Sequence, residues 1–145
     1  MAAWIRHASR AGVARNTELG TGYNTPVSFR FRNFPVYKAA LQLHHDIVRM
    51  TAGFPREYDY LRDQLRRAAL SIVLNIAEGS AKKSDRDFNR YLKNSLGSTG
   101  EVVAALDASY NERLISRETL QETLAKCEAI ANQLGGFSKS LTKGS

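Results

Sequence analysis

Four stretches of the chain repeat apolar residues every three or four positions, the spacing of one helix face. The first is predicted to start near Asn33, a good N-cap, with Pro35 tolerated in the first turn. It presents Tyr37, Ala40, Leu41, His44, Ile47, Val48 and Thr51 until Gly53-Phe54-Pro55 stops it. The second carries Leu61, Leu65, Ala68, Ala69, Ile72 and Ile76 on one stripe and Leu70, Val73, Leu74 and Ala77 on another, which predicts two packing partners. The third presents Phe88, Tyr91, Leu92, Ser95, Thr99, Val102, Val103, Leu106 and Tyr110. The fourth, capped by Ser116 with Glu118 in its first turn, repeats Leu120, Leu124, Cys127, Ala131, Leu134, Ser138 and Leu141 at heptad-like spacing. Short connections make successive helices antiparallel. The prediction is all-α: an up-down-up-down four-helix bundle over residues 31–143, behind a flexible basic leader at 1–30.

The junction of the second and third helices changes character fastest. Gly79, in Glu78-Gly79-Ser80, is predicted to be a left-handed helix stop. Ser84, with Asp87 three residues on, reads as the next N-cap. Glu78 falls at the end of the helix dipole that disfavours an anion, so it needs a partner, an arginine or free loop N–H groups. A structural clamp outweighs a catalytic acid there. Asn75, polar within an apolar run, predicts a hydrogen bond that fixes register in the core rather than a ligand contact. Gly97 and Gly100 each cost up to about 1 kcal/mol in a helix interior, which predicts a neighbouring backbone close by.

Composition narrows the chemistry. The 145 residues suit one domain, and no run approaches the roughly 18 apolar residues of a membrane span. The formal charge of +7 points to an acidic partner. Residues 1–30 hold +3 of it, while Arg56 to Glu112 balances to zero, which weakens the case for a basic folded surface. The leader superficially resembles an organelle transit peptide but lacks a secretory apolar core, and a disordered leader is the preferred reading. A single cysteine, Cys127, excludes an intramolecular disulfide framework and fits a reducing cytoplasm; on the buried stripe it reads as a small hydrophobe.

No metal or cofactor site is predicted. His44 and His45 point about 100° apart and cannot share an ion as an i, i+4 pair could; His44 reads as a core or interface histidine. There are no repeated Glu-x-x-His pairs and no phosphate-binding glycine loop. A small hydrolase built on Glu78 has no supporting constellation. The candidate phosphate contacts are Arg62, Arg66, Arg67, Lys82, Lys83, Arg86, Arg90 and Lys93, interleaved with Tyr58, Tyr60 and Tyr91. Against them stand intrahelical pairings of Asp63 with Arg67, Asp87 with Arg90 and Glu122 with Lys126, the pattern of an ordinary solvated surface. On the residues alone the solvated surface weighs more.

Several segments carry a family resemblance: FRNFPVY from Phe31, FPRE from Phe54, QLRRAALSIVLNIAEGS from Gln64 and DFNRYLKNSLGS from Asp87. Over about residues 31–140 the chain resembles the bacterial four-helix bundle family first noticed in intervening sequences of 23S ribosomal RNA genes. The resemblance implies an antiparallel bundle, a homo-oligomer of ring-like pentamer type, and no catalytic residues. It extends to a branch that serves as the accessory variability protein of diversity-generating retroelements, where a basic pentamer associates with a reverse transcriptase and nucleic acid. The sequence alone does not separate the two branches. The expectation is a cytoplasmic, non-enzymatic accessory protein that binds RNA or DNA, a reverse transcriptase ribonucleoprotein, or both. The alternative is a protein–protein scaffold with no nucleic-acid contact.

Overall fold

Pro35 opens the first helix with a ring that needs no hydrogen-bond acceptor and a φ already suited to the first turn. The computed structural model describes residues 27–143, so most of the expected leader lies outside the described residues. A 3-10 turn at Arg30–Asn33 leads into α1 (Pro35–Thr51). A second 3-10 turn at Arg56–Tyr58 leads into α2 (Asp59–Ser80), followed by α3 (Asp85–Asn111) and α4 (Arg117–Thr142). Each helix packs on its chain neighbours, and α1 also meets α4. The arrangement is an antiparallel four-helix bundle, as the periodicity predicts. Among the described residues no helix is long and apolar enough to cross a membrane.

Two of the predicted caps are present. Ser84 Oγ accepts the Asp87 N–H at 3.1 Å, and Ser116 Oγ accepts the Thr119 N–H at 3.0 Å. The expected Asn33 cap is corrected: Asn33 closes the 3-10 turn, and Phe34 occupies the N-cap with no side-chain bond. What Phe34 supplies instead is packing. Its ring lies edge-on to Phe137 at 5.4 Å and stacked near Phe88 at 6.4 Å, while Phe88 and Phe137 meet at 5.0 Å. All three are buried and close one end of the bundle, where α1 and α3 begin and α4 stops.

Gly79 is also corrected. It lies inside α2, which runs on to Ser80 and ends on Ala81 in right-handed conformation. A Cβ on Gly79 would stand 2.7 Å from Tyr91 Cβ and 2.8 Å from Phe88 Cδ2. The glycine is there because α3 crosses against it. Gly97 and Gly100 show the reverse: both are exposed, and a Cβ on either would meet nothing within 4 Å. The close backbone approach expected at those two positions occurs at Gly79. About two turns farther along the same α2–α3 seam, Ser71 and Ser98 share a hydrogen bond at 2.8 Å and Ser95 Oγ donates to the Ile72 carbonyl at 2.9 Å.

The core stripe of α1 is turned from the expected one. Val36, Ala40, Leu43, Ile47 and Thr51 are buried, whereas Leu41 is 43% exposed. On α2 the first predicted stripe is buried, but of the second only Val73 joins it; Leu70 and Leu74 remain 41% and 54% exposed. Among the described residues the second surface has no partner that buries Leu70 and Leu74. Asn75 is half-buried and bonds back to the Ser71 carbonyl and hydroxyl at 2.9 and 3.1 Å, so it steadies Ser71 rather than fixing register in the core.

The α3–α4 turn stores a small strain. Arg113 has φ of 60°. Its N–H bonds to the Tyr110 carbonyl and that of Leu114 to the Ser109 carbonyl, both at 2.9 Å, the paired bonds of a Schellman stop with a non-glycine at its left-handed position. Arg113→Gly is expected to stabilise the fold by about 1 kcal/mol, seen as a higher urea midpoint. An unchanged or lower midpoint would show that the arginine side chain already offsets the strain.

Candidate functional site

In this topology the start of α1, the end of α2, the start of α3 and the end of α4 meet at one end of the bundle, marked by the Phe34–Phe88–Phe137 cluster. Charge that is scattered along the sequence is gathered there. The α2–α3 junction contributes Lys82, Lys83, Arg86, Arg90 and Lys93. The N-terminal side adds Arg30, Arg32 and Lys38, and the last turns of α4 add Lys139 and Lys143. Glu78, Asp85 and Asp87 oppose these ten cations, a net of +7. At the opposite end, residues 49–67 and 101–122 together hold seven Lys or Arg against eight Asp or Glu, net −1. The folded part is therefore strongly basic over one end, although the middle of the sequence sums to zero.

Local contacts set out the basic end. Lys82 Nζ and the Arg90 guanidinium lie 5.0 and 5.1 Å from the centre of the Tyr91 ring. Arg86, Arg90 and Lys93 are exposed along α3, and Lys83 is exposed in the turn. The acids nearby are loosely engaged, with Lys82 4.0 Å from Glu78 and Arg90 4.0 Å from Asp87. Pairs this long and this exposed contribute little to stability, so these cations remain available to an outside anion.

Glu78 does find partners, though not the expected arginine. Tyr91 Oη donates to its carboxylate at 3.3 Å, and Lys82 lies across the turn. An arginine nevertheless serves this helix end. Arg30 donates from Nε and Nη2 to the Ser80 carbonyl at 3.2 and 2.8 Å and lies 5.6 Å from the centre of the Phe88 ring. It satisfies a terminal carbonyl of α2 and complements the negative end of its dipole. Burial lowers its pKa, and the charge of Asp85 works against that shift. The packed bundle thus begins before residue 31.

The predicted phosphate contacts do not share one surface. Lys82, Lys83, Arg86, Arg90 and Lys93 belong to the basic end. Arg62 is held by Asp59 at 2.9 Å and Asp63 at 3.2 Å near the other end. Arg66 donates to the Thr51 hydroxyl at 3.0 Å and the Val48 carbonyl at 3.2 Å, capping the end of α1. Arg67 is exposed on the outer side of α2. Two of the three expected intrahelical pairs are replaced: Asp63 meets Arg62 rather than Arg67, and Lys126 reaches Asp46 of α1 at 2.5 Å instead of Glu122. Burial pushes the Asp46 pKa up, but hydrogen bonds from Lys126 and Gln42 outweigh it and hold the carboxyl below its usual range. Arg32, Lys38, Lys139 and Lys143 were missed because more than 40 residues separate them from the α2–α3 junction on either side. The signal that finds them is the up-down topology itself.

No cluster of three or more metal-binding side chains is found among the described residues. Cys127 is buried, and burial pushes its pKa up to about 11, so its thiol stays protonated and unreactive at neutral pH. Glu78 is exposed, and among the described residues its carboxylate meets Tyr91 Oη and Lys82 Nζ.

The sequence model of the family described as 23S rRNA-intervening sequence protein matches residues 32–136. No curated protein matches the chain.

Proposed function

Since the chain belongs to the 23S rRNA-intervening sequence protein family, we propose that it is a non-enzymatic, self-associating accessory protein that binds nucleic acid through the basic end of its bundle. The observation that carries this reading is the gathering of ten cations against three acids at the four helix ends marked by the phenylalanine cluster. A phosphate backbone releases counterions when such a surface meets it, and exposed lysines and arginines need no fixed geometry to do so. Tyr91, set among Lys82 and Arg90, gives a base a ring to stack on. The finer reading is that of the retroelement branch: the bound nucleic acid is presented to, or held with, a reverse transcriptase. A gene for that enzyme beside a paired repeat supports it, whereas a surrounding ribosomal RNA operon supports the intervening-sequence branch.

Titration with a labelled single-stranded RNA at rising salt tests the binding. Engagement of about four phosphates gives a log–log slope near −3. The double variant Lys83→Glu, Arg86→Glu is expected to bind at least tenfold more weakly and to flatten that slope by about 1.4. No binding at low salt, or an affinity indifferent to salt, sinks the proposal. A chain that captures the polymerase but no free RNA turns the reading into the scaffold alternative.

A further inference from the structure

The segment that leads into α1 carries an aromatic ring that the core does not take in. Its backbone is fixed around Arg30, whose guanidinium holds the Ser80 carbonyl and lies against the Phe88 ring. The Arg32 N–H bonds to the Phe29 carbonyl at 3.2 Å and the Phe34 N–H to the Phe31 carbonyl at 2.9 Å, which sets the 3-10 turn. Phe34 enters the core from this turn. Phe29 does not: it stays 60% exposed, with Phe31 at 5.9 Å between ring centres and Tyr37 behind Phe31 at 4.9 Å. A single exposed apolar residue needs no explanation by itself. This one is held in place by an anchored turn and stands among cations.

Phe29 is one wall of an open depression of about 530 Å³, lined also by Val27, Ser28, Arg32 and Asn33. That volume falls within the range of about 300–1,000 Å³ typical of small-ligand sites. No carboxylate lines it. Phe29 and Val27 offer exposed apolar surface, and Arg32 is an exposed cation with no acid in ion-pair reach among the described residues. Asn33 adds an exposed amide, donor and acceptor, whose side chain bonds to no other described residue. A flat π-face, an amide and a guanidinium are the groups that hold a base by its ring, its edge and its phosphate.

The depression adjoins the rest of the basic end. Ser80, the partner of Arg30, stands two residues before Lys82 and three before Lys83. A strand whose phosphates lie along the α2–α3 turn therefore has the depression next to it.

We propose that the depression at Phe29, Arg32 and Asn33 holds an unpaired base of a single strand: the base stacks on Phe29, Asn33 meets its edge and Arg32 takes the adjoining phosphate. This rests on the nucleic-acid binding proposed above and specifies its substrate as single-stranded. The internal bases of a duplex are already paired and stacked, so a duplex engages the same end of the bundle by charge alone.

Three probes separate base from charge: a labelled single-stranded RNA, a long duplex of the same sequence, and inorganic polyphosphate, which carries the charge without bases. Phe29→Ala is expected to weaken single-strand binding about tenfold or more. It should leave the salt slope, the helical circular dichroism and the affinities for duplex and polyphosphate unchanged, since it removes no charge and no buried group. Phe29→Trp keeps a stacking face and should bind the single strand at least as tightly as the wild type. A single-strand loss below about twofold, an equal loss with duplex or polyphosphate, or Phe29→Trp behaving as Phe29→Ala overturns the base site and leaves charge-driven binding standing. So does a wild type that binds the duplex but not the single strand. A wild type that binds none of the three probes overturns the nucleic-acid reading itself, and the base site with it.

Discussion

Phe137→Ala is expected to destabilise the protein by about 3–5 kcal/mol, the range for removing a buried aromatic ring from a packed core. Its ring holds edge-on contacts with both Phe34 and Phe88 and so ties the last turns of α4 to the starts of α1 and α3. With domain stabilities of about 5–15 kcal/mol, the loss is a large share of the total. At a slope of about 1.5 kcal/mol per molar, the urea midpoint should fall by about 2 M or more. A fall below about 0.5 M would mean that the cluster does not hold this end together. Since the basic residues stand on the same turns, RNA affinity should weaken in the folded variant as well.

The second large effect is at Gly79. Adding one methyl group there places a carbon 2.7 Å from Tyr91 Cβ and 2.8 Å from the Phe88 ring, and the first of these neighbours is anchored to backbone. Alanine normally favours a helix interior by up to about 1 kcal/mol over glycine. At this crossing the clash outweighs that gain, and Gly79→Ala is expected to destabilise by about 1–3 kcal/mol net. The control is Gly97→Ala, where open space surrounds the new methyl and propensity alone predicts a gain. Equal effects at the two positions would refute the packing account.

These two sites show which parts of the fold were legible in the sequence. Helix number, order and most of the α2 and α3 core followed from three-and-four periodicity, and Ser84 and Ser116 were readable as caps because their chemistry is local. Phe34 and Phe137 were not, although both are nearly fully buried. Phe34 stands before its helix, where periodicity has no phase to read. Phe137 lies off the heptad-like row that runs through Leu134 and Ser138. Gly79 was placed at a helix end for the wrong reason: a glycine that turns the chain and one that admits a neighbouring helix look alike until the neighbour is known.

The candidate site was legible only in part. The lysines and arginines of the α2–α3 junction stand out because they cluster in sequence. Summing charge by segment then concealed the polarity, because the acids that cancel them lie at the far ends of the same helices, at Glu57, Asp59, Asp107 and Glu112. Arg66 looked as free as Arg86 in sequence, and only the path of α1 shows that it is engaged. Of the α1 residues read as a core stripe, Ala40, Ile47 and Thr51 are buried, whereas Leu41, His44 and Val48 satisfy the same three-and-four spacing one row over and are not.

The separation of charge between the two ends makes the molecule an electric dipole aligned with its long axis. Near a polyanion it experiences a torque before any contact forms, and it arrives with the phenylalanine-capped end leading. Such pre-orientation acts on the rate of encounter more than on the lifetime of the complex, and it fades as the ionic atmosphere thickens.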